Sequence, residues 1–356
     1  MEDSMGITKK SFGKTSKNEA ASLYILENKN GMKAVFTDYG ANLVELWVPD
    51  KNGKLADVVL GYDNVKMYEN NAPGYGSFIG RCANRTANAS CEISGKTYPL
   101  EANDGTNNLH SGSKSYNKYM YEAETFAEEG ELSIEFSRLS PDMEQGFPGN
   151  LDITVTYTLT DENELAIEYL AVSDKDTVVN FTNHSYFNLA GHDSGSMLKQ
   201  EVWIDADEFT PTSNILIPTG EFRNVTGTPM DFRERKALGL EIDADYEPLQ
   251  IASGYDHNFV LNNTGEEAEL VASLYDKESG RLMEVFTDMP GMQLYCGNFI
   301  DGKEVGKNGR VYQRRDGVCF ETQFFPNAIN TPEFKSSLLK AYEEFDSLTV
   351  YRFSIE

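Results

Sequence analysis

LDITVTYTLT, residues 151–160, alternates without a break. Leu151, Ile153, Val155, Tyr157 and Leu159 fall on one side, and Asp152 with four threonines falls on the other. Successive side chains of an extended chain point to opposite faces, so this run reads as a half-buried antiparallel strand. Its β-branched and aromatic residues suit a pleated surface. Working outward, 132–137 (LSIEFS) repeats the pattern with Leu132, Ile134 and Phe136, and 164–172, 201–206, 268–275, 281–287 and 347–355 repeat it less cleanly. Turn pairs such as Asn30-Gly31, Asn52-Gly53, Glu129-Gly130, Ser279-Gly280 and Asp301-Gly302 separate the runs. Many short strands between frequent turns predict an all-β protein, a large antiparallel β-sandwich with few short helices.

The best helix candidate is 332–344, with Thr331 as N-cap, Pro332 at the first helical position and Lys340 toward the end. No helical pattern follows each strand, which argues against a parallel α/β fold. No linker or composition break divides the chain, so residues 1–356 read as one domain. Residues 1–20 read as a flexible or extended N-terminus, in which Met5 offers an alternative start.

Hydrophobic residues make up 40% and charged residues 25% of the 356, enough apolar material for a large core. The net charge of -26, with no basic stripe, sets the chain against phosphate backbones and excludes nucleic acid as a partner. No apolar run reaches the 18 residues of a membrane span, and the polar N-terminus lacks a signal-peptide core. Cys82, Cys91, Cys296 and Cys319 form no C-x-x-C pair and no disulfide framework. The expectation is buried thiols in a reducing compartment, hence a cytoplasmic protein. Asn84-Arg-Thr and Asn183-His-Ser match glycosylation triplets by chance, since nothing else points to secretion.

The informative residues are polar groups inside apolar runs. In 179–189, VNFTNHSYFNL, Phe181, Phe187 and Leu189 share one face, and Thr182, His184, Tyr186 and Asn188 share the other. In 317–325, GVCFETQFF, Glu321 and Gln323 point the same way from an otherwise aromatic and apolar strand. A buried carboxylate costs several kcal/mol unless paired or neutralised, so Glu321 is either a strand-end residue reaching water or a desolvated base. In 254–261, GYDHNFVL, Asp256 and Asn258 face away from His257, Phe259 and Leu261, which keeps Asp256 and His257 from sharing a metal. In 291–298, Gln293 and Tyr295 face away from Met292, Leu294 and Cys296. Glycine-flanked loops carry Arg81, Asn84, Arg85 and His110. Metal-binding spacings, the phosphate loop, the dinucleotide fingerprint and G-x-S-x-G are all absent. Neither a metal nor a cofactor is expected.

In order, FIGRCANR (78–85), NNLHSG (107–112), GFPGNL (146–151), TNHSYFNLAG (182–191), IPTGEF (217–222), TPMDFR (228–233), YDHNFVL (255–261), PGMQLYCGN (290–298) and CFETQFFPNA (319–328) resemble the aldose 1-epimerase (galactose mutarotase) family. The resemblance runs from about residue 30 to the C-terminus. It implies the family's large antiparallel sandwich and a small-molecule substrate, a free aldose whose α and β anomers are interconverted. It also implies His184 as general acid and Glu321 as general base. Asn84, Arg85, His110, Asp256 and Gln293 would bind sugar, Tyr186 would line the site, and Arg81 would either join them or brace the loop. The sequence departs from the family at Ser111, where many relatives carry glycine beside the histidine.

That chemistry needs two proton transfers, one from the C1 hydroxyl and one to the ring oxygen. A histidinium held charged by Asp256 would be the donor. Three other readings stay open: an epimerase of hexose 6-phosphates, an inactive sugar-binding module, and a glycoside-cleaving enzyme using Asp256 with Glu321. The chain is expected to work as a monomer or weak homodimer without membrane contact.

Overall fold

A computed structural model describes residues 6–356; Met1–Met5, the alternative start included, lie outside the described residues. Strand dominates, and the two α-helices, Val65–Glu69 and Glu247–Ala252, are a turn or so each. In the Leu151–Thr160 strand, Leu151, Ile153, Val155, Tyr157 and Leu159 are all buried, while Asp152 is exposed and the threonines are half-buried. Burying each of the five contributes roughly 1.5–3 kcal/mol.

That strand is third in a nine-stranded antiparallel sheet. In spatial order its members are Glu122–Glu128, Glu131–Ser140, Leu151–Thr160, Glu164–Ser173, Glu344–Ile355, Arg281–Thr287, Glu269–Asp276, Glu201–Ile204 and Lys236–Ala237. A five-stranded N-terminal sheet runs from Ile7–Lys14 through Ala20–Glu27, Lys33–Thr37 and Asn42–Pro49 to Leu55–Asp57. It packs on the long sheet, with the Phe36 and Tyr157 rings 4.4 Å apart and Tyr157 Oη donating to the Ala41 carbonyl at 2.9 Å. The N-terminus is thus no loose arm beyond residue 6. Buried Ile7 and Phe12 anchor Ile7–Lys14 as an edge strand.

A second five-stranded sheet carries the site. Its order is Arg223–Asn224, Glu208–Thr210, Asp256–Val260, Gly291–Tyr295 and Cys319–Gln323. Register sets Asn258 beside Gln293 and Gln293 beside Glu321. Past its Cys319 edge, Phe187 and Val318 exchange both backbone hydrogen bonds. The Thr182–His184 strand, paired on its far side with Ser77–Ile79, is thereby held next to Glu321.

The helix expected over 332–344 does not form. Ala328–Asn330 is a 3₁₀ turn, Leu338–Leu339 pairs with Thr177–Val178, and the long Glu344–Ile355 strand follows. The apolar residues of this stretch are claimed by different neighbours. Phe334 packs on Phe325 and Ala328, while Leu339 enters the main core. No single helical face could serve both, so packing overrides the local signal.

Candidate active site

Glu321 and His184 meet across neighbouring strands, with His184 Nε2 3.6 Å from Glu321 Oε1 and both side chains nearly fully buried. They sit at one wall of a cleft of about 630 Å³ that Asn84, Arg85, His110, Tyr186 and Asp256 also line. The His184 ring is boxed in. Tyr186 lies 5.0 Å away in a tilted arrangement, His110 stands edge-on at 5.3 Å, and Cys319 Sγ is 3.5 Å from Nδ1. Gly74 packs against the ring, where an added Cβ would be in ordinary contact with the imidazole at 3.6 Å, and the backbone φ of 78° at this position favours glycine.

Burial sets the protonation of the pair. It pushes the Glu321 carboxyl well above the usual range; Asp256 adds to the rise and Arg85 opposes it. It pulls His184 from 6.5 to about 4, against the pull of its own carbonyl and of Asp256. Asp256 therefore does not hold a histidinium in the free pocket as expected, because desolvation outweighs a single nearby carboxylate. Both shifts disfavour separated charges and favour one proton shared within the pair.

His110 and Asn84 come from two loops locked together. Asn84 (φ 61°), His110 (51°) and Ser111 (66°) all occupy the left-handed region, which asparagine and histidine tolerate better than most residues. The Asn84 N–H donates to His110 Nδ1 at 3.0 Å. A neutral His110 must then carry its hydrogen on Nε2; burial first, then His184 and Arg85, keep it neutral by pushing its pKa well below 6.5. Ser111 departs from the family without distorting this corner. Its hydroxyl accepts the Cys82 N–H at 2.8 Å and donates to the Cys82 carbonyl at 3.0 Å, tying the loops side to side.

Two expected sugar contacts already have partners within the protein. Gln293 lies behind the cleft and donates from Nε2 to Asp256 Oδ1 at 2.7 Å, so it reaches the site through Asp256. Arg85 donates to Asp104 at 2.7 Å while facing the cleft. Of the two readings of Arg81, its contacts fit the brace. Fully buried, it donates to the Pro148 and Gly149 carbonyls and to Tyr116, Thr177 and Ser140. Asn188 shares no wall with His184; it is spent on the Gly195 and Asp316 carbonyls.

Sequence reasoning missed the outer cleft. Tyr295, Asn117, Lys118, Phe299 and Glu304 line it. Only Tyr295 carried a signal, through its alternation with Gln293. Among the described residues, His110, His184 and Glu321 form a set whose donor atoms lie within 4.8 Å of one another, close enough for a metal. Spacing in the sequence could not reveal this set. The chemistry does not fit a metal, because His110 Nδ1 is occupied by an N–H and its Nε2 offers a hydrogen rather than a lone pair.

Residues 22–352 match the family model described as aldose 1-epimerase. The chain belongs to the aldose 1-epimerase family. It is 43% identical to the galactose mutarotase of Sus scrofa over 89% of this chain and 90% of that protein. Identity to the aldose 1-epimerase of Escherichia coli K12 is 35%, over 94% and 95% of the two chains. The crystal structure of an aldose epimerase homologue from C. elegans superposes with a TM-score of 0.86 at 32% identity, covering 94% of this chain and 99% of that one. The family's activity, interconversion of the α and β anomers of aldoses, is the activity of this chain, and its substrate is a small sugar.

Proposed function

We propose that Glu321 and His184 carry this anomerisation on a free, neutral hexose such as galactose or glucose. The observation that carries the reading is the 3.6 Å approach of His184 Nε2 to Glu321 Oε1 at the cleft wall, with Glu321 Oε2 left without a partner. The two target oxygens share one carbon, so acid and base must converge this closely.

Proton bookkeeping fits a pair holding one proton. Glu321 as carboxylate takes the C1 hydroxyl proton while imidazolium His184 gives its Nε2 proton to the ring oxygen. The C1–O5 bond breaks, its electrons going to O5, and C1=O forms. The pair is left as carboxylic acid and neutral imidazole, the form a desolvated pocket favours. Rotation about C1–C2 and reversal of both transfers closes the other anomer. Asn84, Arg85, His110, Tyr186 and Asp256 would read the hydroxyls, His110 as an Nε2–H donor.

The outer cleft supports a neutral substrate over a sugar phosphate. Glu69, Asp301 and Glu304 line it, and the Lys118 ammonium is committed to the Tyr68 and Glu69 carbonyls. Four buried free cysteines fit a reducing, cytoplasmic setting, and no helix of the described residues is long and apolar enough to cross a membrane. We take the chain to act as one catalytic domain, as a monomer or weak homodimer. The test is polarimetry on freshly dissolved α-galactose, α-glucose and glucose 6-phosphate. Acceleration with the free sugars supports the reading; acceleration confined to the phosphate would overturn it.

A further inference from the structure

Gln323 lies two residues beyond Glu321 on the same face of the strand, yet it does not line the cleft and the chemistry above has no use for it. It is fully buried, and neither end of its amide has a hydrogen-bond partner within the protein. Thr182 Oγ1, Asn258 Oδ1 and Glu321 Oε2 are buried and unpartnered as well.

Register gathers these atoms into one place. Continuing the antiparallel Phe187–Val318 bridge inward sets His184 opposite Glu321 and Thr182 opposite Gln323. On its other side Gln323 pairs with Gly291. Asn258 folds its Oδ1 over that glycine, where an added Cβ would stand 2.4 Å from the oxygen and 2.6 Å from the Phe325 ring. Thr182, Gln323 and Asn258 thus form a polar floor directly behind the base, covered by Phe325.

Native proteins seldom leave several buried polar groups bare; they close such clusters with internal water making two to four hydrogen bonds. The donors and acceptors here suit one. The Gln323 amide and the Thr182 hydroxyl can donate to water, and water can donate to Asn258 Oδ1 and to Glu321 Oε2.

We propose that Gln323, with Thr182 and Asn258, encloses internal water hydrogen-bonded to Glu321 Oε2, which makes Gln323 a positioning residue for the base. This rests on the reading of Glu321 as base. The charged and titratable groups facing Glu321 are His184 from the neighbouring strand, Asp256, Tyr295 and Cys319 from the site sheet, Arg85 and His110 from their loops and Tyr186, with Tyr351 in the long sheet beneath. None of them hydrogen-bonds Oε2, so losing the water makes the carboxylate harder to form.

The experiment compares wild type, Gln323→Met, Thr182→Val and Glu321→Gln for kcat, KM, pH–rate profile and Tm, with a high-resolution crystal structure of the wild type. Gln323→Met keeps length and removes polarity. Expected are an unchanged KM, a kcat lower by about tenfold and an alkaline limb raised by about one pH unit, as loss of a charge-assisted hydrogen bond gives. Tm changes little, since the hydrogen bonds to internal water that the variant loses are offset by burial of an apolar end. Thr182→Val moves the same way by less, and the crystal structure shows ordered water between Gln323 and Glu321. Wild-type kcat and pH profile in both variants would overturn the proposal, as would a kcat loss that tracks a fall in Tm with the pH profile unmoved. A fully active Glu321→Gln would instead sink the assignment of the base.

Discussion

The Leu151–Thr160 and Cys319–Gln323 strands are both antiparallel members of well-paired sheets, yet they spend their side chains in opposite ways. The first buries apolar groups on one face and turns threonines outward. The second is buried on both faces and carries Glu321 and Gln323 into the interior with polar atoms unpartnered. One strand holds the fold together; the other is held by it. The difference teaches that stability and chemistry are assigned to separate strands, and mutations should therefore separate them.

Glu321→Gln and His184→Asn give the largest effect on turnover, a loss of roughly 10²–10⁴. Neither variant should be less stable than wild type by more than about 1 kcal/mol, because each removes a group whose charged form the interior disfavours. Polarimetry beside thermal unfolding checks this. Near-wild-type rates in both would end the acid–base assignment.

Ile153→Ala is the mirror image. It opens a cavity in the main core and costs about 2–5 kcal/mol of stability. The residue sits in the main core and does not line the cleft, so kcat of the folded fraction stays at the wild-type value. A core variant that cut kcat while staying folded would erase the contrast between the two strands.

This contrast also explains what could be read in advance. Alternation with a polar outer face is written into residues 151–160 and into Leu132, Ile134 and Phe136, so the all-β architecture was legible. Glu321 and His184 were legible as misplaced polar residues and through the motifs around them. Three things were not. Thr331, Pro332 and Lys340 signal a helix over 332–344, but partners distant in sequence divide its apolar residues. Gln293 alternates like a cleft residue, yet its neighbour Asp256 takes its amide. The charge on His184 depends on how much water its surroundings exclude, and Tyr186, Gly74 and His110 supply that enclosure from three separate segments.

A pH series sharpens the same point. His184 is held near 4 by burial, so kcat should stay flat through pH 6.5 and fall only as the pH approaches about 4, where the pair takes a second proton. Stability follows a related course through His257, which is fully buried and donates toward the Pro248 carbonyl at 3.2 Å. Burial lowers it from 6.5 to about 4. The unfolded chain binds this proton below about 6.5 and the folded chain does not until about 4. The stability contribution is present above 6.5 and is lost as the pH falls between those values, by roughly 3 kcal/mol. Urea unfolding at pH 7 and pH 4.5 measures it, and His257→Gln should shrink the difference by about that amount, the rest staying with His110, His184 and His192, which burial also lowers.

The smallest effect expected is at Ser111, in the loop that carries His110. Its φ of 66° would suit glycine better, but its hydroxyl ties the N–H and carbonyl of Cys82 and so fixes the corner carrying His110 against the one carrying Asn84. Ser111→Gly relieves the backbone and loses the tie, effects of similar size, about 1 kcal/mol each. Tm should hardly move. Ser111→Ala keeps the strained φ and loses the tie, so it should be the less stable of the two by about 1 kcal/mol. Both should raise KM a few-fold with kcat nearly unchanged, as the proposed role of His110 and Asn84 in gripping the sugar without moving its protons requires. Equal Tm values for the two variants, with an unaltered KM, would show that the hydroxyl fills space and positions nothing.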